Sequence, residues 1–251
     1  MVNLLISGIN GRLGKVIYDL AIERDGFNVV AGFDISKNDN IEVDIFTDIN
    51  KCNKEVDVII DFSHPAAFDS VINYSLLKNI PVVMATTGLS EEQIKKMHSA
   101  SEKIGIFSSA NMSLGINLLI DLVQKAATIL EKNFDIEVIE KHHNQKIDAP
   151  SGTALAIADS MNEILSEKYK YVYERQSKRE KRTKKEIGLH ALRGGTIVGE
   201  HDVIFAGTDE IIEIKHKAMS KNIFASGALD AAKFMKGKKS GFYNMNNIIN
   251  K

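Results

Sequence analysis

Seven residues near the start, Gly8-Ile9-Asn10-Gly11-Arg12-Leu13-Gly14, constrain the fold more than any other stretch. They follow a short apolar run, residues 2–7, and lead into Leu13, Val16, Ile17, Leu20 and Ala21 at helical spacing. A buried strand that turns at once into an amphipathic helix needs glycines where backbone passes close to backbone. Such a turn also aims main-chain N–H groups at a pyrophosphate resting on the helix N-terminus. The spacing is GxxGxxG, a variant of GxGxxG, and a plain strand-to-helix turn is the competing reading. The setting favours a dinucleotide site. A strand precedes the loop, a helix follows, and Asp34 ends the next strand, where a carboxylate accepts bonds from an adenosine ribose.

The loop begins a longer alternation. Residues 27–33 and 56–62 have strand character, the second rich in β-branched side chains, and residues 81–85 and 104–107 add two more strands. Between these last two, Ser90-Glu91-Glu92-Gln93 is a capping-box pattern that opens a helix toward Glu102. This rhythm predicts βαβ units and an N-terminal Rossmann-like parallel-sheet domain. Beyond Asn111 the pattern changes. Residues 114–130 are helical, 135–140 alternate like a strand with one wet face, and 154–165 are helical again. Strands then follow without helices at 187–193, 202–206 and 211–216, which predicts a smaller α+β domain on a mixed sheet. A closing helix near 223–235 carries Phe224, Phe234 and Met235 as core residues, and its partner is left open by pattern alone. The fold class is α/β.

Composition narrows the partners. Lys plus Arg (32) against Asp plus Glu (33) leaves a net charge of −1, so there is no basic field for nucleic acid. No apolar run approaches the ~20 residues that span a bilayer, and the first residues lack the basic start of a signal peptide. Cys52 is the single cysteine, which rules out an intrachain disulfide and fits a reducing cytoplasm. The expectation is a cytoplasmic protein that binds small molecules, with no nucleic-acid or membrane partner.

Two further strand ends, Ala85-Thr86-Thr87-Gly88 and Ser109-Ala110-Asn111-Met112, are expected at the same crevice, with small polar groups suited to ribose and carboxamide. Asp61-Phe62-Ser63-His64-Pro65 is a third, with Ser63 placed to cap the following helix. A carboxylate at position 34 repels a 2′-phosphate, so NADH, or dual use of NADH and NADPH, is expected; Arg12 and Lys37 are the cations that could compensate.

The chemistry concentrates at residues 140–154, EKHHNQKIDAPSGTA. Ser151, Gly152 and Thr153 open a helix and would offer backbone N–H groups to an anion. Lys146 adds a positive charge, and histidine supplies a proton donor tunable near neutrality. An anion pocket, a cation and a proton donor beside a nicotinamide suit a reductase of a carboxylated substrate. Metal is disfavoured, because His142 and His143 are adjacent on a strand and point to opposite faces. The run 174–186 holds seven cations and three anions and is expected to be a mobile, solvated loop.

This stretch closely resembles the signature of the 4-hydroxy-tetrahydrodipicolinate reductase family of bacterial lysine biosynthesis. The likeness spans the chain through GINGRLG, DFSHP, ATTGL, SANMSLGIN, RGGTIVGEH and SGFYNM, in that order. The resemblance implies a cytoplasmic homotetramer on the diaminopimelate route. Such an enzyme reduces a small cyclic dicarboxylate with NADH or NADPH and releases tetrahydrodipicolinate and water. It implies a dinucleotide-binding domain of residues 1–112 with 222–251, and a substrate-binding and oligomerisation domain of residues 113–221. By the same resemblance His142 is the acid/base group and Lys146 the proton donor, with His143, Gly152 and Thr153 on the substrate. Nucleotide contacts fall on Gly8, Ile9, Asn10, Gly11, Arg12, Leu13 and Asp34, and on Ala85, Thr86, Thr87, Ser109, Ala110, Asn111 and Met112.

The chain also departs from the family. Asp34 is followed by Ile35 where many members have glutamate and arginine, so a partner for a 2′-phosphate is missing. Ala85 replaces the first glycine of GTTG, and Lys221 stands where arginine is common. Two other readings stay open, a different Rossmann-type dehydrogenase and a non-catalytic nucleotide-binding sensor. The first is opposed by the 142–154 stretch; the second would be expected to have lost His142 or Lys146.

Overall fold

The computed structural model describes residues 1–38 and 40–250. The chain runs β1 (Val2–Ser7), α1 (Arg12–Glu23), β2 (Phe27–Phe33), β3 (Ile45–Phe46), β4 (Val58–Asp61), α2 (Phe68–Lys78), β5 (Val82–Met84), α3 (Glu91–Ser101) and β6 (Gly105–Ser108). It continues through α4 (Leu114–Leu130), β7 (Asp135–His142), α5 (Gly152–Ile164), β8 (Lys170–Val172), β9 (Glu186–Arg193), β10 (Gly199–Ala206) and β11 (Ile211–Ala218). It closes with α6 (Asn222–Met235), β12 (Gly241–Tyr243) and α7 (Asn246–Ile249). Two compact units result, Met1–Leu114 with Asn222–Lys251, and Gly115–Lys221.

The first unit is built on a seven-stranded parallel sheet in the order β12-β6-β5-β4-β1-β2-β3. Strands β1 and β4 are buried almost throughout, as parallel strands covered on both faces must be. The order reverses between β1 and β4, where Ser7 pairs with Asp61. That reversal opens a crevice at the carboxyl ends of the strands. The predicted capping box is present on α3: Gln93 N–H donates to Ser90 Oγ (3.2 Å) and Ser90 N–H to Gln93 Oε1 (3.0 Å). Ser63, by contrast, caps nothing. Its hydroxyl donates to Asp61, and the His64 ring caps the short turn before α2 by accepting the Ala66 N–H at 3.1 Å.

Pattern left the partner of α6 open, and packing decides it. Ala225, Ala228, Leu229, Ala231, Ala232 and Met235 enter the core formed by β1, β4 and α1, with Phe224 and Phe234 packed against it. The approach is so close that a Cβ on Gly227 would stand 1.8 Å from the Met112 carbonyl oxygen. Arg24, just past α1, reaches Asp230 on α6 at 2.9 Å.

The second unit has a five-stranded mixed sheet, β11-β10-β7-β9-β8, in which β7–β9 and β8–β9 are parallel and the β10 pairings antiparallel. Alternate residues of β7 are buried: Ile136, Val138, Glu140 and His142. The expected one-sided pattern holds, but the buried face turns ionisable at the strand's end.

The basic run at 174–186 is largely exposed, as expected, but it is tied down at two of its arginines. Arg175 pairs with Glu186 (2.5 Å) and Glu137 (2.9 Å), and Arg182 with Glu137 (3.0 Å) and Asp135 (3.0 Å). Acids on β7 and β9 pin Arg175 and Arg182, and an exposed charge run carries no trace of partners so distant in sequence.

Candidate active site

The glycine loop has the shape its spacing predicted. Gly8 sits at φ +79°, and a Cβ there would meet the Phe62 carbonyl oxygen at 2.7 Å. At Gly14 a Cβ would lie 2.0 Å from the Gly8 carbonyl oxygen, so α1 can start against the loop only if this residue has no side chain. Beside the loop lies a pocket of about 660 Å³ that brings together Gly8, Gly11 and Asp34. Phe62, Ser63 and His64, from the third strand end expected at this crevice, line it as well. Asn10 closes the loop on the other side. Its N–H donates to Asp34 Oδ2 (2.9 Å) and its amide to the Ser36 carbonyl (2.8 Å).

Residues 85–87 and 109–112 follow β5 and β6 at the same edge of the sheet. Thr86 is held there by a group that sequence reasoning missed as a partner. Asp61, fully buried, accepts from Thr86 Oγ1 (2.7 Å) and Ser63 Oγ (2.6 Å). Burial pushes its carboxyl up, against the pull of those hydroxyls. Asn111 accepts the Ser113 N–H at 2.9 Å, and Met112 turns its side chain into the core.

In the second unit the 140–154 stretch forms one polar cluster. His142 ends β7 on the buried face, while His143 is half-buried beyond it. His142 Nδ1 is 2.6 Å from Glu140 Oε2. Glu140, 1% exposed, also takes both Arg193 Nη groups at 2.8 and 2.7 Å and the Ser151 N–H at 2.9 Å. Burial alone would raise its carboxyl, but the bonds from Arg193, His142 and Ser151 more than offset that and hold it below the usual glutamate range. His201 lies edge-on to His142, with ring centroids 5.4 Å apart, and its Nε2 is 3.2 Å from Ser151 Oγ. Burial, then the neighbouring His142, lowers His201 to about 4, so it is neutral at pH 7.

Ser151 departs from expectation. Its N–H is taken by Glu140 and its hydroxyl accepts the Ala154 N–H, so it is a cap inside the protein rather than an open donor. Lys146 meets a second carboxylate: its Nζ is 2.8 Å from Asp148 Oδ1. The Lys146 ammonium, foremost, draws Asp148 below the ordinary aspartate range. Among the described residues no group of three or more His, Cys, Asp or Glu side chains is placed to hold a metal ion. Among them, too, no helix is long and apolar enough to cross a membrane.

A glycine cradle against a helix N-terminus, with an acid at the neighbouring strand end, fits a dinucleotide and defines an oxidoreductase of the Rossmann type with a nicotinamide cofactor. Comparison with known proteins makes this particular. The profile described as "Dihydrodipicolinate reductase, N-terminus" matches residues 2–112 and that described as "Dihydrodipicolinate reductase, C-terminus" residues 115–249. The 4-hydroxy-tetrahydrodipicolinate reductase of Caldanaerobacter subterraneus is 54% identical, over 100% of this chain and 99% of its own. That of Clostridium tetani is 49% identical, over 100% and 98%. The chain belongs to the 4-hydroxy-tetrahydrodipicolinate (dihydrodipicolinate) reductase family. The dipicolinate-bound dihydrodipicolinate reductase of Paenisporosarcina sp. TG-14 shares its fold, with a TM-score of 0.83, 23% identity and 99% of each chain covered.

Proposed function

We propose that the protein reduces 4-hydroxy-tetrahydrodipicolinate to tetrahydrodipicolinate, with loss of water. In this reading residues 1–112 and 222–251 bind the dinucleotide. Residues 113–221 bind the dicarboxylate and form the contacts of a homotetramer, working in the cytoplasm. The bound nicotinamide supplies the hydride; the chain's own residues position the reactants and handle the protons.

Gly8, Ile9, Asn10, Gly11, Arg12 and Leu13 present the loop that cradles the pyrophosphate, and Asp34 takes the adenosine ribose. Residues 85–87 and 109–112 hold the nicotinamide end. A substrate carboxylate is bound by Lys146, His143, Gly152 and Thr153. The observation that carries this assignment is Asp148: its carboxylate lies 2.8 Å from Lys146 Nζ, so this ammonium is placed to receive one. His142, seated on Glu140, is the acid/base group, and Lys146 supplies the proton that leaves with the hydroxyl as water.

The test is cofactor oxidation followed by absorbance, with substrate made in situ from pyruvate and aspartate semialdehyde by the preceding synthase. Rapid oxidation that depends on that synthase is the expected result. Protein that binds NADH yet turns over neither cofactor would instead support a different dehydrogenase or a sensor.

A further inference from the structure

We propose that Glu140 is the positioning residue of this reaction: its carboxylate fixes the His142 ring proton on Nδ1 and leaves Nε2 bare as the atom that exchanges protons with substrate. This rests on the reading of His142 as the acid/base group.

Hydrogen-bond inventory carries the argument. Oε1 of Glu140 receives the Ser151 N–H and one Arg193 Nη, and Oε2 receives the other Arg193 Nη and His142 Nδ1. Arginine and a backbone amide can only donate, and an ionised carboxylate can only accept. The 2.6 Å contact therefore requires a proton on Nδ1. Arg193 serves as a clamp, since its two-pronged contact fixes the plane of the carboxylate and hence that of the ring. Nε2 lies on the other side, toward Gly199, where a Cβ would stand 3.0 Å away. A side chain at Gly199 would press on that nitrogen, and glycine leaves the space free. Neutral His201, edge-on, adds no charge that would compete with Arg193 for Glu140.

Glu140→Gln tests this because a glutamine has one accepting end and one donating end. The Ser151 N–H cannot change its role, so the amide oxygen must face it and the amide NH₂ must face His142. The ring can satisfy that group only by moving its own proton to Nε2. Nitrogen-15 shifts of the His142 ring, assigned by their loss in His142→Gln, report the tautomer directly. The expected result is Nδ1–H in the native protein and Nε2–H in Glu140→Gln. It should come with a kcat loss on the order of 10²–10⁴-fold, as when a catalytic histidine is held in the wrong tautomer. KM for the dicarboxylate and the NADH dissociation constant should change less than about threefold, because Glu140 is bonded to the protein on every side. A native Nε2–H ring, or a Glu140→Gln protein that keeps Nδ1–H, overturns the proposal. The native spectrum alone decides this if the variant does not fold. An inverted tautomer with unchanged kcat would uphold the positioning and overturn His142 as the acid/base group.

Discussion

Asp34 Oδ2 accepts the Asn10 N–H at 2.9 Å, so the acid just after β2 is tied to the glycine loop that follows β1. Its other oxygen accepts the Ile35 N–H at 2.7 Å. Both donors are neutral: they hold the carboxylate at the pocket without cancelling its charge. NADH preference or dual use is the expected behaviour, and kcat/KM for the two cofactors measures it. Asp34→Ser combined with Ile35→Arg, at a site 95% exposed, should move the ratio toward NADPH by about tenfold or more. A native preference for NADPH of about a hundredfold would mean that Arg12 or Lys37 overrides the carboxylate.

Two glycines should respond in opposite ways to alanine. At Gly14 the new Cβ runs into backbone at 2.0 Å; the clash should cost about 1–3 kcal/mol and weaken NADH binding, read by denaturant unfolding and NADH titration. At Gly152 a Cβ meets nothing within 4 Å, and alanine favours the helix by up to about 1 kcal/mol. Gly152→Ala should therefore fold at least as well while raising KM for the dicarboxylate. An unchanged KM would remove Gly152 from the substrate contacts.

Lys146→Ala should lower kcat by about 10²–10⁴-fold, the usual contribution of a positioned proton donor, with NADH affinity untouched. Steady-state kinetics and NADH titration on the same preparation separate the two effects. Native kcat in the variant would assign the proton to another group.

His201 should make the fold sensitive to mild acid. Its folded value of about 4 lies below the ordinary histidine value of 6.5. Between those pH values the unfolded chain carries a proton that the folded one lacks, so its stability contribution is complete above about pH 6.5 and is lost as pH falls toward 4. The full window is worth about 3 kcal/mol. His216, lowered by burial, acts in the same direction. Urea unfolding at pH 7 and pH 5 should show a smaller loss in His201→Asn than in the native protein. Equal losses would place the acid sensitivity elsewhere.

Much of the architecture is legible locally. The predicted strand at 27–33 and helix at 114–130 match β2 and α4, because periodicity and apolar runs are properties of neighbouring residues. The capping box on α3 was readable for the same reason. β8 and β12, three residues each, were not: they lack the continuous apolar run that marked the equally short β5.

The sequence by itself determined the alternation of strands and helices, the glycine loop, and the polar stretch at 140–154 to which the chemistry is assigned. Only the tertiary structure decided where α6 packs, because α6 meets Met112 across more than a hundred residues of chain. It also decided the partners of the buried charges. Asp61 meets Thr86 across β4 and β5, and Arg193 reaches Glu140 from β9. A periodic pattern records which face is apolar; it does not record which distant donor satisfies a buried carboxylate, and that satisfaction is what allows Glu140 and His142 to occupy a core face.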